Sequence, residues 1–175
     1  VLPTLLMTAV GLVPDVAMCP PSAPSEAGLT VAWLPPLGKT LPTTVATLYK
    51  SFEDTPEEVD PARPIARYRA FHRAIRAGLI HSAHDISEGG LAAALGETAS
   101  LEIGWKIRWD EAERDLFGEG VGMILFTTKD WDAARKHLPE ARRLGLTTNM
   151  GGLQIDEIRW SGAELRAAHQ GGGVA

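Results

Sequence analysis

Cysteine is nearly absent: Cys19 is the only one in 175 residues. No internal disulfide can form, which suits a reducing compartment. Cys19 sits in "MCPP" with neither a histidine nor an acid beside it in sequence, so it reads as a bystander. No apolar run approaches the ~20 residues of a membrane-spanning helix, and there is no signal-peptide pattern. Positive charge is in deficit, with 17 Lys+Arg against 22 Asp+Glu and a formal net charge of -5. A phosphate backbone needs a concentrated basic face, so nucleic acid is disfavoured as a main partner. The densest basic cluster is Arg63, Arg67, Arg69, Arg73 and Arg76, on a predicted helix, and reads as a solvated face. No repeat with a period of ~20 to 50 residues is found, which excludes a solenoid.

What is there suits one globular domain. Hydrophobic residues make up 45% of the chain, and a chain of this length buries roughly 70% of the surface it exposes unfolded. The apolar run "LPTLLMTAVGLV" predicts a buried strand from Leu2 to Val13. Beginning at Val1 in mid-strand, the chain reads as part of a larger protein. The expected organisation is a closing strand and crossover over 1–14, a domain over 15–169, and a flexible glycine-rich tail over 170–175.

A proline-rich loop follows the first run, and then a strand, "LTVAWL", over 29–34. The spacing predicts a short helix over 44–52 with Thr43 as its N-cap. Beyond an acidic, proline-rich loop, Ile65, Tyr68, His72, Ile75 and Leu79 recur at helical spacing with arginines opposite. His72 is therefore expected in the core, and Gly78 at the helix end. A strand over 79–86 leads through a polar loop into a helix over 89–100. Leu101, Ile103, Trp105, Ile107 and Trp109 alternate with mostly polar residues, as in a half-buried strand. "DEAERDLFGEG" reads as a helix and glycine turn, "VGMILFTT" as a buried strand, and "KDWDAARKHL" as a helix. "GLTTNMGGLQIDEIRW" reads as a closing hairpin with a glycine turn, and "SGAELRAAHQ" as a last helix capped by Ser161. The expected class is α+β: a three-layer α/β/α arrangement with a mixed sheet of about six strands.

One loop concentrates chemistry: His84-Asp85-Ile86-Ser87-Glu88-Gly89-Gly90, between a strand and a helix. The first amides of a helix lack intrahelical partners, and the dipole adds positive charge there, so an anion is welcome. Glycines let a ligand approach the backbone. Ser87 offers a hydroxyl and Asp85 a hard oxygen suited to magnesium beside a phosphate. The same residues also suit simple capping by Ser87 or Asp85, worth ~1 kcal/mol, with the glycines serving helix–strand packing. Both readings stand on spacing alone.

"HDISEGGLAAALGETA" resembles the "HD-x-S-D/E-GGL" segment of the phosphoribosylformylglycinamidine synthase family, in the second carboxy-terminal-type domain of its synthetase core. "LGKTLPTTVATLYKSF", "RAFHRAIRAGLIHSAHD", "DLFGEGVGMILFT" and "LTTNMGGLQI" extend the resemblance to about residues 2–167. Sibling families write the loop differently: "H-I-T-GGG" in aminoimidazole ribonucleotide (AIR) synthetase, "D-V-T-G-F-G" in selenophosphate synthetase, "R-D-x-T-x-GGL" in the hydrogenase maturation protein. The resemblance implies an AIR-synthase-like fold. It implies a role in ATP-dependent conversion of formylglycinamide ribonucleotide and glutamine-derived ammonia to the amidine, in the cytoplasm, with Mg2+ and ATP or ADP as cofactors. Its partners would be the other core domains and a glutaminase domain or subunit, with no nucleic acid and no membrane.

Carried over residue by residue, Asp85 is the magnesium ligand, and Ser87, Gly89 and Gly90 meet the nucleotide. His84 and Glu88 support the loop. Glu119 in "FGEG" matches a family glutamate whose counterpart in the first half contacts substrate. Glu97 reads as solvated or loop-bracing. The family's catalytic histidine belongs to an amino-terminal-type domain outside these residues, and Cys19 lacks the glutaminase motif. The chain alone is therefore expected to be inactive. Where the family has a glycine turn this sequence has Leu41-Pro42-Thr43-Thr44, and Pro42 removes an amide donor. That substitution keeps open a non-enzymatic scaffold with a decayed pocket.

Overall fold

A computed structural model describes residues 8–42, 59–110 and 116–171. The expected helix over 44–52 with its cap Thr43, and most of the one expected after Asp110, lie outside the described residues.

The fold is built around β1 (Thr30–Leu34), whose five residues TVAWL are all buried. Side chains alternate across a strand, and here both faces are covered: Val31 and Trp33 enter one core cluster, Ala32 and Leu34 the other. After β2 (Leu41–Pro42) come α1 (Ala62–Arg76), β3 (Ser82–Asp85), α2 (Gly90–Thr98), β4 (Gly104–Ile107), β5 (Gly118–Glu119) and β6 (Ile124–Thr128). They are followed by α3 (Trp131–His137), β7 (Arg142–Thr148), β8 (Gly152–Ile155), β9 (Ile158–Trp160) and α4 (Gly162–His169). Seven strands form one sheet in the order β3-β6-β1-β7-β4-β8-β9, and β2 pairs with β5 apart from it. Among the described strands only β4 and β8 run parallel. Helices α1 and α3 cover one face, where Phe71, Ala74 and Leu138 pack on Ala32, Leu34 and Phe126. Helices α2 and α4 cover the other, where Leu91, Leu95 and Leu165 meet Val31, Trp33, Trp105 and Leu125. The three layers and mixed sheet are as expected, with more strands than six.

Three expectations need correction. The apolar run over 2–13 is no buried strand in its described part: residues 8–13 are exposed and irregular. Both edges of β1 are already taken, by β6 and β7. Helix α1 forms, but its buried residues are Arg67, Phe71 and Ala74, while Ile65, Tyr68 and His72 are exposed. At 100° per residue the buried stripe lies about a third of a turn from the expected one. The sequence carries two stripes, and the one containing Phe71 and Ala74 packs in the cluster with Ala32, Leu34 and Phe126. The arginine cluster is thus not uniformly solvated, since Arg67 is only 6% exposed.

The closing hairpin is also rearranged. β7 and β8 do not pair; β4 lies between them, antiparallel to β7 and parallel to β8. The glycines between them serve a tight crossing. A Cβ on Gly151 would lie 2.2 Å from the Leu101 carbonyl oxygen, and one on Gly152 2.2 Å from that of Trp160. The true hairpin is β8–β9, turning at Asp156 with φ 50°. β4 buries Trp105 and Ile107 as expected but is shorter than predicted, and Leu101 is exposed.

Candidate functional site

Strand β3 delivers the polar loop to the mouth of the sheet. His84 and Asp85 pair with Leu125 and Ile124 of β6. Ile86 drops into the core and its amide donates to the Met123 carbonyl (3.3 Å), so the loop is anchored at its apolar residue. Asp85, Ser87 and Glu88 remain exposed. His84 Nε2 lies 3.2 Å from Glu97 Oε2 on α2, which gives His84 a bracing partner and places Glu97 as a loop brace. The strand and helix on either side of the loop are thereby clamped together.

The chain then turns through two left-handed residues, Gly89 (φ 85°) and Gly90 (φ 68°). The Gly90 amide donates to the Ser87 carbonyl at 3.1 Å. A Cβ on Gly90 would sit 2.7 Å from the Phe117 carbonyl carbon, so only glycine admits the close approach of segment 116–118. The cap residue of α2 is Gly89, and among the described residues no amide of its first turn donates to the Ser87 or Asp85 side chain. The glycines themselves have the packing role.

A distant residue closes part of the gap. The Gly89 amide donates to Glu119 Oε1 at 3.2 Å. Glu119 ends β5, which pairs with β2 so that Leu41 faces Glu119 and Pro42 faces Gly118. Three segments that the sequence keeps apart thus meet here: the proline-bearing turn, the "FGEG" segment and the glycine loop. The sequence offers Glu119 as a supporting residue by its match to a family glutamate, but not its bond to the Gly89 amide, since no spacing signal connects residues thirty apart.

Among the described residues no group of three His, Cys, Asp or Glu side chains is gathered to hold a metal. Asp85 is exposed and belongs to no such group. That donor set fits magnesium only where a ligand's phosphates and water supply the other oxygens. Cavities among the described residues lie elsewhere. One of about 500 Å³ opens between residues 17–21, the end of α1 and Lys129. One of about 270 Å³ lies between α1 and residues 137–140. Cys19, in the wall of the first, is exposed and unbonded. Beside that cavity Glu26 lies 2.6 Å from Lys129 Nζ and 3.0 Å from His81 Nε2. The Lys129 ammonium, hydrogen-bonded to it, holds the Glu26 carboxyl below the usual carboxylate range.

The architecture defines a class. Residues 26–155 match the family described as "AIR synthase related protein, C-terminal domain", and the chain belongs to that family. The relatives narrow the comparison to phosphoribosylformylglycinamidine synthase subunit PurL. The chain is 36% identical over 155 residues to the protein of that name from Anaeromyxobacter sp. (strain Fw109-5), covering 77% of this chain and 20% of the relative. It is 34% identical to the one from Synechococcus sp. (strain JA-2-3B'a(2-13)), covering 79% and 19%. The chain therefore spans about a fifth of the length of these relatives. Among solved structures, T. maritima PurL complexed with ATP superposes with a TM-score of 0.55 at 17% identity, over 86% of this chain and 27% of that one. E. coli HypE, a hydrogenase maturation protein, superposes with a TM-score of 0.54 at 13% identity, over 82% and 51%. At these identities the structures establish the shared fold.

Proposed function

We propose that this domain serves a phosphoribosylformylglycinamidine synthase, as the part of its synthetase core that presents a nucleotide loop and a domain interface. The observation carrying the reading is the loop itself. In a chain whose relatives bear that name, a strand end and an uncapped helix start meet through two left-handed glycines, with Asp85 and Ser87 exposed beside them. Backbone amides at the start of α2, with Gly89 and Gly90 in place of side chains, suit a phosphate. Ser87 donates its hydroxyl to that phosphate, and His84 with Glu97 and Glu88 keep the loop in place. When bound, Mg2+ neutralises phosphate charge; Asp85 is the residue that would hold it, beside ATP or ADP. The other core domains and a glutaminase are the partners, and the cytoplasm is the setting. No helix among the described residues is long and apolar enough to cross a membrane. Alone, the chain makes no amidine and hydrolyses no ATP above background.

The test is thermal unfolding of the domain within an assembled synthase, with and without Mg-ADP. A nucleotide at ~100 times its dissociation constant stabilises the folded state by ~2.7 kcal/mol. Asp85→Ala is expected to abolish most of that shift and to change little without nucleotide. A shift that survives Asp85→Ala intact rejects the metal role. The competing reading, a scaffold whose pocket has decayed, is favoured by Pro42 in β2 and by Glu119 already engaging the Gly89 amide. It requires that Mg-ADP give no shift at all.

A further inference from the structure

Arg67 alone among the arginines of α1 is buried. Its guanidinium, with five N–H donors, makes four hydrogen bonds. Nε and Nη2 donate to Glu140, and Nη1 donates to the Gly122 carbonyl at 3.0 Å and to the Pro35 carbonyl. Pro35 follows β1 directly, and Gly122 lies just before β6. The arginine thus ties the helix to the chain leaving β1 and to the loop entering β6, which are neighbouring strands. The loop over 120–122 is held from a second side, because Leu37 donates its amide to the Val121 carbonyl at 3.0 Å. It is also tightly packed: a Cβ on Gly120 would lie 2.6 Å from Pro36 Cβ. Three residues before Gly122, Glu119 accepts the Gly89 amide. A packed loop transmits a displacement rather than absorbing it.

We infer that Arg67 is a positioning residue: by fixing the Gly122 carbonyl it sets the loop over 119–122, and so holds the Glu119 carboxylate on the Gly89 amide at the start of α2. Its consequence for ligand binding rests on the nucleotide reading above, while the coupling itself does not. A buried arginine with four such bonds would otherwise count only toward stability. What adds position to stability is that one of its acceptors lies on the short loop that also carries Glu119.

The test uses the full chain labelled with 15N, and reads the Gly89 amide resonance and its exchange with water. Arg67→Lys keeps the charge and loses the fork that reaches Glu140 and Gly122 together. It is expected to move the Gly89 resonance and to speed exchange about fivefold, the equivalent of one hydrogen bond. Glu140→Gln, at a side chain half exposed, is expected to act in the same direction with a smaller effect. In a Glu119→Ala background, Arg67→Lys is expected to add nothing at Gly89. A purely structural arginine lowers the melting temperature in both backgrounds and leaves Gly89 unmoved. The inference is overturned if Gly89 stays in place in the folded variants, or if the Arg67→Lys effect keeps its full size without Glu119. Should Arg67→Lys not fold, Glu140→Gln with and without Glu119→Ala decides by the same outcomes. Loss of the coupling without loss of Mg-ADP binding rejects this inference alone. Coupling without any Mg-ADP shift in the assembled synthase rejects the nucleotide reading alone.

Discussion

The starts of α2 and α4 are made in opposite ways. α4 begins with a complete capping box: Ser161 accepts from the Glu164 amide, and Glu164 accepts from the Ser161 amide at 2.7 Å. α2 begins with two glycines and no local cap, and its one added contact comes from Glu119 (3.2 Å), on a different strand. Burial explains the contrast. α2 buries Gly90, Leu91, Ala94, Leu95 and Thr98, whereas α4 has no buried residue. A helix held by its core face can leave its first turn open, while a surface helix of this length depends on its own termini. Openness at a helix start is thus available where packing supplies the stability, and that is where the candidate site lies.

The largest way to break this comparison is Gly90→Ala. The residue is left-handed and pressed against segment 116–118. Strain and overpacking together are expected to cost about 3 kcal/mol, read from the urea midpoint. A loss under about 1 kcal/mol shows that segment 116–118 yields easily, and that α2 is not held as described. Ser161→Ala is next, with an expected loss of ~1 kcal/mol confined to α4, visible as faster exchange of the Leu165 amide, which bonds to the Ser161 carbonyl. An equal loss of protection across α2 contradicts the separation of the two starts. The smallest effect is that of acid. The hydrogen bond from the Ser161 hydroxyl, then that from its amide, holds the Glu164 carboxyl below its ordinary value of 4.5. A carboxyl lowered on folding stabilises above its unfolded value, and that contribution is lost as pH falls through the folded one. The start of α4 is therefore expected to loosen below about pH 4.5, measured by amide exchange at Leu165. Unchanged protection down to complete protonation removes the capping box from the argument.

Local chemistry made some of this legible and long-range pairing hid the remainder. The cap at Ser161, the helix after Lys129, the stop at Gly78 and the strand–loop–helix order around Asp85 follow from neighbours in sequence, and the structure has them. The register of α1 was hidden because two stripes share one period, and only the approach of the sheet favours Phe71 and Ala74 over Ile65 and Tyr68. The insertion of β4 between β7 and β8 was hidden because its partners are 38 to 48 residues away. At the site the polar loop was legible and its contact was not. Glu119 carried no spacing signal toward Gly89, and Arg67 looked like any member of a basic face until Glu140 and the two carbonyls surrounded it.

The central position of β1 sets a timetable for the ribosome. Its hydrogen-bonding neighbours are β6 and β7, and Leu34 waits for Ile124, about 90 residues downstream. At a synthesis rate of roughly 5–20 residues per second, TVAWL spends about 5 to 20 seconds as an unpaired apolar strand after it is made. Such a segment is a template for unwanted strand pairing while it waits. The strand that organises the finished sheet is therefore the chain's chief exposure during birth, and the segment for which a chaperone would matter most.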